Sequence, residues 1–321
     1  MHLPLISLLF LGKAWAAVPC GPATVSKVFQ LDKIGTWFEN LAVRENGAIL
    51  ATRLDVPELW QVQPTTRTGK KLLSIPQITH LLGITEVSDD VFVVGGANFT
   101  ESGGVAVGTA QVWEVNMTGD EPKARLITQI AEAGLPNGIT RMNSHQVLVA
   151  DSTKGVIYKL DTKTGKYSVA LNDPETMSIP EGAEITIGVN GIKILKDHVY
   201  YTNTARQTFY RTPVNKNLDA TGPAEVIASG FLQDDFTLLP DGTAYIAASA
   251  LNTVLRVSGM GQVSPIAGSK LSIDIASATA VQFGRTRKDR HTLYVTTSGD
   301  QLAPVNGTVV VPAEVVAIHL A

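Results

Sequence analysis

The sequence predicts an all-β protein built as a single six-bladed β-propeller, and three observations carry that expectation. One short strand-like pattern recurs along the chain: GAILAT (47–52), DVFVVGG (90–96), QVLVADS (146–152), HVYYTNT (198–204), TAYIAAS (243–249) and TLYVTTS (292–298). With Ala48, Val91, Val147, Val199, Ala244 and Leu293 as equivalents, the intervals are 43, 56, 52, 45 and 49 residues, which is the spacing of propeller blades. Each copy also follows another short strand-like run. Across a turn it leads to a third: ELWQVQ, AQVWEVN, GVIYKLD, QTFYRTPV, NTVLRVS and EVVAIHL. Helical patterning is thin, since stretches such as Ala124–Ala133 lack a sustained 3.6-residue period. A β-sandwich has short strands too, but it does not repeat one motif six times. The ring is expected to close by pairing Ala313–Leu320 with strands near the start of the mature chain, which removes open edges.

The bulk properties fit such a ring. Of 321 residues 44% are apolar and 17% charged, enough to bury a large core. A net charge of −3 and a pI near 6.1 leave no electrostatic footprint for nucleic acid or an anionic membrane. The opening MHLPLISLLFLGKAWAAVP carries an apolar run, Leu3 to Leu11, then the small-x-small step Ala14-Trp15-Ala16. This reads as a secretory signal over residues 1–17, leaving 18–321 as one propeller domain in the secretory pathway or secreted. The run is too short to span a bilayer, so no membrane anchor is expected after cleavage. Because Lys13 interrupts the approach to the cleavage site, a buried N-terminal strand is the competing reading. Three sequons, at Asn98, Asn116 and Asn306, go with secretion and mark glycosylation sites. A single cysteine, Cys20, rules out an internal disulfide framework.

The start of each innermost strand lines the channel of a propeller, and one register there is mostly polar. It holds Glu39 (in WFENLAVRENG), Leu82, Asn137 (in GLPNGITRMN), Asn190 (in GVNGIKILK), Asp234 (in LQDDFTLLPDG) and a small residue near Ser277. Any one of the polar four reads as an ordinary turn cap. Four in register are different, because convergent carboxylates repel each other and are costly to desolvate. A divalent cation resolves that cost, and carboxylates with amide carbonyls suit Ca²⁺, Mg²⁺ or Mn²⁺. No organic cofactor is expected: there is no P-loop, no G-x-G-x-x-G after a strand and no CxxC. The six histidines form no plausible Ser-His-Asp set, and His80 and His319 show no partner in the sequence.

At these residues the chain resembles the senescence-marker-protein/gluconolactonase family of six-bladed propellers, over nearly the whole of 18–321. The resemblance implies a divalent cation, Ca²⁺ or Mg²⁺, held by Glu39, Asn190 and Asp234, with Asn137 beside metal and substrate. It also implies Asp234 as general base in a lactonase. One departure matters. Sugar-lactone members carry R-x-N-D on blade three, and this chain has Leu135-Pro136-Asn137-Gly138. With a cationic anchor replaced by Leu135, the pocket is expected to be apolar, lined by Leu82, Leu135, Phe38 and Phe236, with Trp37 and Phe231 nearby. It would take apolar small-molecule substrates. The wording ENLAVRENGAILAT, PNGITR, GVNGIK, YYTNT and DDFTLLPDG resembles a secreted fungal branch that includes tropolone-sesquiterpenoid hetero-Diels–Alderases. Three functions therefore compete, in this order. The first is a cycloaddition catalyst with Asp234 and Asn137 as catalytic residues; the second is a divalent-metal-dependent lactonase or esterase; the third is a non-catalytic binding propeller.

Overall fold

The computed structural model describes residues 23–100 and 103–320; the proposed signal segment and Cys20 lie outside the described residues. Strand β1 (Thr24–Gln30) belongs to the last blade. Blade one is β2 (Phe38–Val43), β3 (Ile49–Arg53), β4 (Glu58–Gln63) and β5 (Thr68–Ser74). Blade two is β6 (His80–Ser88), β7 (Val91–Ala97), β8 (Gln111–Asn116) and β9 (Lys123–Gln129). Blade three is β10 (Pro136–Asn143), β11 (Gln146–Asp151), β12 (Val156–Asp161) and β13 (Tyr167–Leu171). Blade four is β14 (Val189–Leu195), β15 (His198–Asn203), β16 (Thr208–Pro213) and β17 (Glu225–Ser229). Blade five is β18 (Phe236–Leu238), β19 (Ala244–Ala248), β20 (Thr253–Val257) and β21 (Val263–Gly268). Blade six is β22 (Ala278–Phe283), β23 (Thr292–Thr297), β24 (Glu314–His319) and, outermost, β1.

The fold is the expected six-bladed β-propeller. The recurring motif is the second strand of every blade, and the run after it is the third. The ring closes as expected, with β1 antiparallel to β24 from Thr24↔His319 to Gln30↔Glu314. Lys27 Nζ lies 3.1 Å from the buried Glu314 carboxylate across that seam. Ala124–Ala133 contributes strand β9. Among the described residues the α-helix is one turn, α1 (Pro174–Met177), capped by Asp173.

Each blade presents apolar side chains on both faces, so a core forms in every gap between blades. Phe38, Leu41 and Val315 fill the gap between blades six and one. Leu81, Phe92 and Trp113 fill the next, and Tyr158, Tyr201, Phe236 and Val295 belong to later ones. Of the three sequons, Asn306 is exposed with left-handed backbone in the long connection before β24. Asn98 and Asn116 are half-buried at the ends of β7 and β8.

The innermost strands share a bulge, one extra residue, so that two residues face one on the second strand. Ladder register shifts around Glu39, Leu82–Gly83, Asn137–Gly138, Asn190–Gly191 and Thr279. In blade five the bonds Asp234 N to Ala247 O and Ala247 N to Asp235 O mark the same place. The first bulge position is Glu39, Leu82, Asn137, Asn190, Asp234 or Ala278. The second is Asn40, Gly83, Gly138, Gly191, Asp235 or Thr279.

An Asn-Gly step here is not turn chemistry. The glycine is required because the next blade's backbone packs against it: a Cβ on Gly138 would sit 2.3 Å from Asn190 O, and one on Gly83 2.0 Å from Asn137 O. Hydroxyls stitch bulge carbonyls to the preceding blade, Thr52 Oγ1 to Leu82 O at 2.6 Å and Thr202 Oγ1 to Asp234 O at 2.9 Å. Gly138→Ala should therefore cost about 3 kcal/mol, the upper end of overpacking, since the obstacle is backbone. Thermal melting checks it, and an unchanged Tm would show that the blades are not in contact here.

Candidate active site

Three of the four polar residues expected at the channel mouth meet there. Asn190 Nδ2 donates to Asp234 Oδ1 at 2.9 Å and to Thr204 Oγ1 at 3.0 Å, which leaves Asn190 Oδ1 buried with no partner. Glu39 is close enough to Asp234 for its charge to act on the Asp234 carboxyl, and Trp37 Nε1 donates to Glu39 Oε2 at 2.6 Å. Asn137 holds the equivalent bulge position on β10 and is buried. Asp234 itself is half-buried.

The next residue in each blade builds the floor beneath them. Asp235 Oδ2 accepts from Asn40 Nδ2 of blade one at 2.8 Å. Its Oδ1 accepts from Lys193 Nζ of blade four at 2.6 Å and from Phe236 N at 2.7 Å. The Lys193 ammonium also lies 5.2 Å from the Phe236 ring centre. Lys193 is thus committed to Asp235, and among the described residues Glu39 and Asp234 have no cation of their own. Burial pushes the Glu39 carboxyl up to about 7, aided by the Asp235 charge and opposed by the Trp37 hydrogen bond. Burial first, then the charges of Glu39 and Asp235, hold Asp234 well above the usual carboxylate range.

The apolar lining differs from the expectation. Phe38 and Phe236 are fully buried in interblade cores, Phe38 against Phe29 and Trp60 and Phe236 against Phe209. Phe231 belongs to the same core as Phe236. The reason is strand alternation: the neighbour of a lumen-facing residue points the other way, and a bulge shifts the parity again. Two residues before the lumen-facing positions stand Trp37, His80, Leu135 and Leu232. Leu82 holds the equivalent bulge position on β6, and both Leu82 and Leu135 leave little surface open (1% and 6%).

His80 stacks on Phe99 with ring centres 3.8 Å apart, and burial lowers its pKa below the usual value despite Asp55. His319, bonded to Ser26 and Thr292, also has the partners its sequence did not show. Sequence reasoning missed the Asn40–Asp235–Lys193 hub; its signal was the doublet Asp234-Asp235, two carboxylates where blades three and four have an asparagine and a glycine.

The fold and site together define a class: six-bladed propellers whose channel mouth gathers carboxyl and amide groups from several blades. No family model matches the chain. It is 30% identical over 302 residues to "Putative hetero-Diels-Alderase asR5" of Sarocladium schorii, covering 82% of this chain and 75% of that protein. It is 29% identical over 294 residues to a "Putative hetero-Diels-Alderase" of a Phoma species, covering 82% and 83%. The chain belongs to the family these proteins form. Solved structures share the fold at low identity. A luciferin-regenerating enzyme superposes with a TM-score of 0.67 at 13% identity, covering 92% of this chain and 95% of that one. A gluconolactonase from Xanthomonas campestris gives 0.63 at 12%, covering 94% and 91%.

The electrostatics have a measurable signature. A carboxyl raised from 4.5 to about 7 binds its proton more tightly in the folded state. Its contribution to stability is complete below 4.5 and is lost as pH rises through 7. Glu39→Gln should therefore match the wild-type Tm near pH 4 and exceed it near pH 8 in chelator-containing buffer. Parallel melting curves across that range would refute the buried, uncompensated carboxyl.

Proposed function

We propose that the protein is a hetero-Diels–Alderase of secondary-metabolite biosynthesis that joins a tropolone o-quinone methide to a humulene-type sesquiterpene at the channel mouth. Its relatives' names support the reaction class. The observation that carries the site is the Glu39–Asp234 pair, with no cation partner among the described residues and with Asn190 bonded to Asp234. Close coupling lets such a pair hold one proton near neutrality, one carboxyl acting as donor while the other is ionised.

That state suits both halves of the reaction. An o-quinone methide forms when a hydroxymethyl tropolone loses water. The ring hydroxyl gives its proton to the ionised carboxylate, and the protonated carboxyl gives its own to the departing hydroxyl. The pair ends with its proton exchanged and its charge unchanged. In the cycloaddition one carbon–carbon bond forms at the exocyclic methylene and one carbon–oxygen bond at the ring carbonyl oxygen. A carboxyl O–H and the Asn137 amide N–H donate to that oxygen as charge develops on it. In this reading the half-buried Trp37, His80 and Leu232, each two residues before the lumen register, form the wall that holds the hydrocarbon partner, which contributes through orientation alone.

A second reading has its own support. The orphaned Asn190 Oδ1 and two uncompensated carboxyls are hard oxygen donors that fit a divalent cation, Ca²⁺ or Mg²⁺. Among the described residues no three His, Cys, Asp or Glu side chains gather as a metal site, so this set depends on the amide oxygen. Glu39, Asn190 and Asp234 would hold the ion, and once bound it would polarise a substrate carbonyl. Asp234 would then take a proton from water in a metal-dependent lactonase. Secretion and glycosylation belong to the proposal as well, with exposed Asn306 as the most accessible acceptor.

Purified protein incubated with a hydroxymethyl tropolone and humulene should speed adduct formation, with or without chelator. Asp234→Ala should slow it about a hundredfold, the scale of general acid–base catalysis, yet leave it above background because the wall still orients both partners. Chelator-sensitive hydrolysis of a simple lactone, with no adduct, would replace this reading by the second.

A further inference from the structure

Gln233 is where blade five departs from the others. One residue before the lumen-facing position stand Phe38, Leu81, Pro136, Val189, Gln233 and Ser277. Phe38, Leu81 and Val189 each belong to the core between their blade and the preceding one. Phe231 and Phe236, on either side of Gln233, belong to the core between blades four and five. Gln233 is fully buried, and among the described residues neither Oε1 nor Nε2 has a hydrogen-bond partner. An unpaired buried polar group is expensive, and this amide carries two.

Its backbone, by contrast, is pinned. Gln233 O accepts from Thr204 Oγ1 at 2.8 Å, and that hydroxyl accepts from Asn190 Nδ2 at 3.0 Å. The following residue, Asp234, is bonded to Ala247 O and to Asn190. Freedom is therefore confined to the side chain, one residue from the reacting carboxyls. A chain retains a destabilising group of this kind where function uses it.

We propose that Gln233 is a substrate-contacting residue whose amide turns from the interblade wall into the channel mouth and binds the adjacent carbonyl and hydroxyl oxygens of an α-hydroxyketone edge. Such an edge offers one acceptor and one donor side by side, and a primary amide offers the complementary donor and acceptor in one plane. A carboxylate only accepts and an ammonium only donates, so neither matches both atoms. Tropolone has this edge, and its identity as the ligand rests on the cycloaddition reading above. The movement required is rotation about side-chain bonds, with no shift of the strand.

The test uses Gln233→Met, which keeps length and shape without polar atoms, and Gln233→Leu as a second variant. Three quantities are measured in chelator-containing buffer: Tm alone, the Tm rise caused by tropolone, and KM and kcat for adduct formation. Both variants should melt about 2–4 °C higher than wild type, the scale of roughly 1 kcal/mol in a large domain. The tropolone-induced rise should vanish, and KM for the tropolone partner should increase about tenfold. Higher Tm with unchanged tropolone response and KM would overturn the proposal and leave the cycloaddition reading standing. Lower Tm in both variants would overturn it too, since the amide would then have a structural partner. Loss of the tropolone response in the variants of a protein that makes no adduct would support the contact and sink the reaction. A wild-type protein that tropolone does not stabilise overturns the contact whatever the activity.

Discussion

Asp235 is gripped from two directions, by Asn40 of blade one at 2.8 Å and by Lys193 of blade four at 2.6 Å. Blades five and one are not neighbours in the ring, so the Asn40 bond crosses the channel beneath the mouth, while the Lys193 bond ties blade five to the adjacent blade four. Buried pairs of this kind contribute little net stability when weighed against apolar replacements, but breaking one costs several kcal/mol. They specify an arrangement more than they strengthen it. Here the arrangement assigns Lys193 to the floor and leaves the two carboxyls above it without a counter-charge. The unusual protonation of Glu39 and Asp234 follows from that allocation.

The bulge is what makes the allocation geometrically possible. It sends consecutive residues, rather than alternate ones, toward the axis, so that each blade supplies a lumen group and a floor group in adjacent positions. Where the floor position is Gly83 or Gly138 the neighbouring backbone fills the space, and at Gly191 Asp235 of the next blade does, with its carboxylate and its Cα. Where it is Asn40, Asp235 or Thr279, a buried hydrogen bond fills it: Thr279 Oγ1, for example, donates to Phe38 O at 2.7 Å. Three blades therefore have a closely packed glycine at the floor position and three a polar side chain. The polar three, blades five, six and one, are consecutive, so the floor has a packed half and a hydrogen-bonded half.

The blade repeat, the closing strand and the register of Glu39, Asn137, Asn190 and Asp234 were legible because each is local or periodic in the sequence. The same periodicity misplaced the lining. Reading aromatic residues beside Glu39 and Asp234 as wall put Phe38 and Phe236 in the pocket, and alternation sends both into the cores. Trp37, two residues from Glu39, reaches its carboxylate instead. The hub was illegible for a different reason: Asn40 and Asp235 are 195 residues apart, and nothing in either neighbourhood names the other. Gln233 was invisible in another way, since a glutamine in a loop is ordinary until it is known to be fully buried with its amide unpartnered.

The seam between β1 and β24 has a mechanical consequence. Gln30 and Glu314 pair near the segment that leads to Trp37, so Thr24 and His319 pair at the other end, roughly 20 Å away along a strand of this length. Thr24 and His319 therefore lie at the face opposite the mouth, and a tether fixed to either of them would keep the entrance clear. Force applied between those two points would load the seam as a zipper, opening its hydrogen bonds one pair at a time from Thr24↔His319. Blade six would come undone first, and the Lys27–Glu314 pair at the far end of the zipper would be among the last contacts to yield.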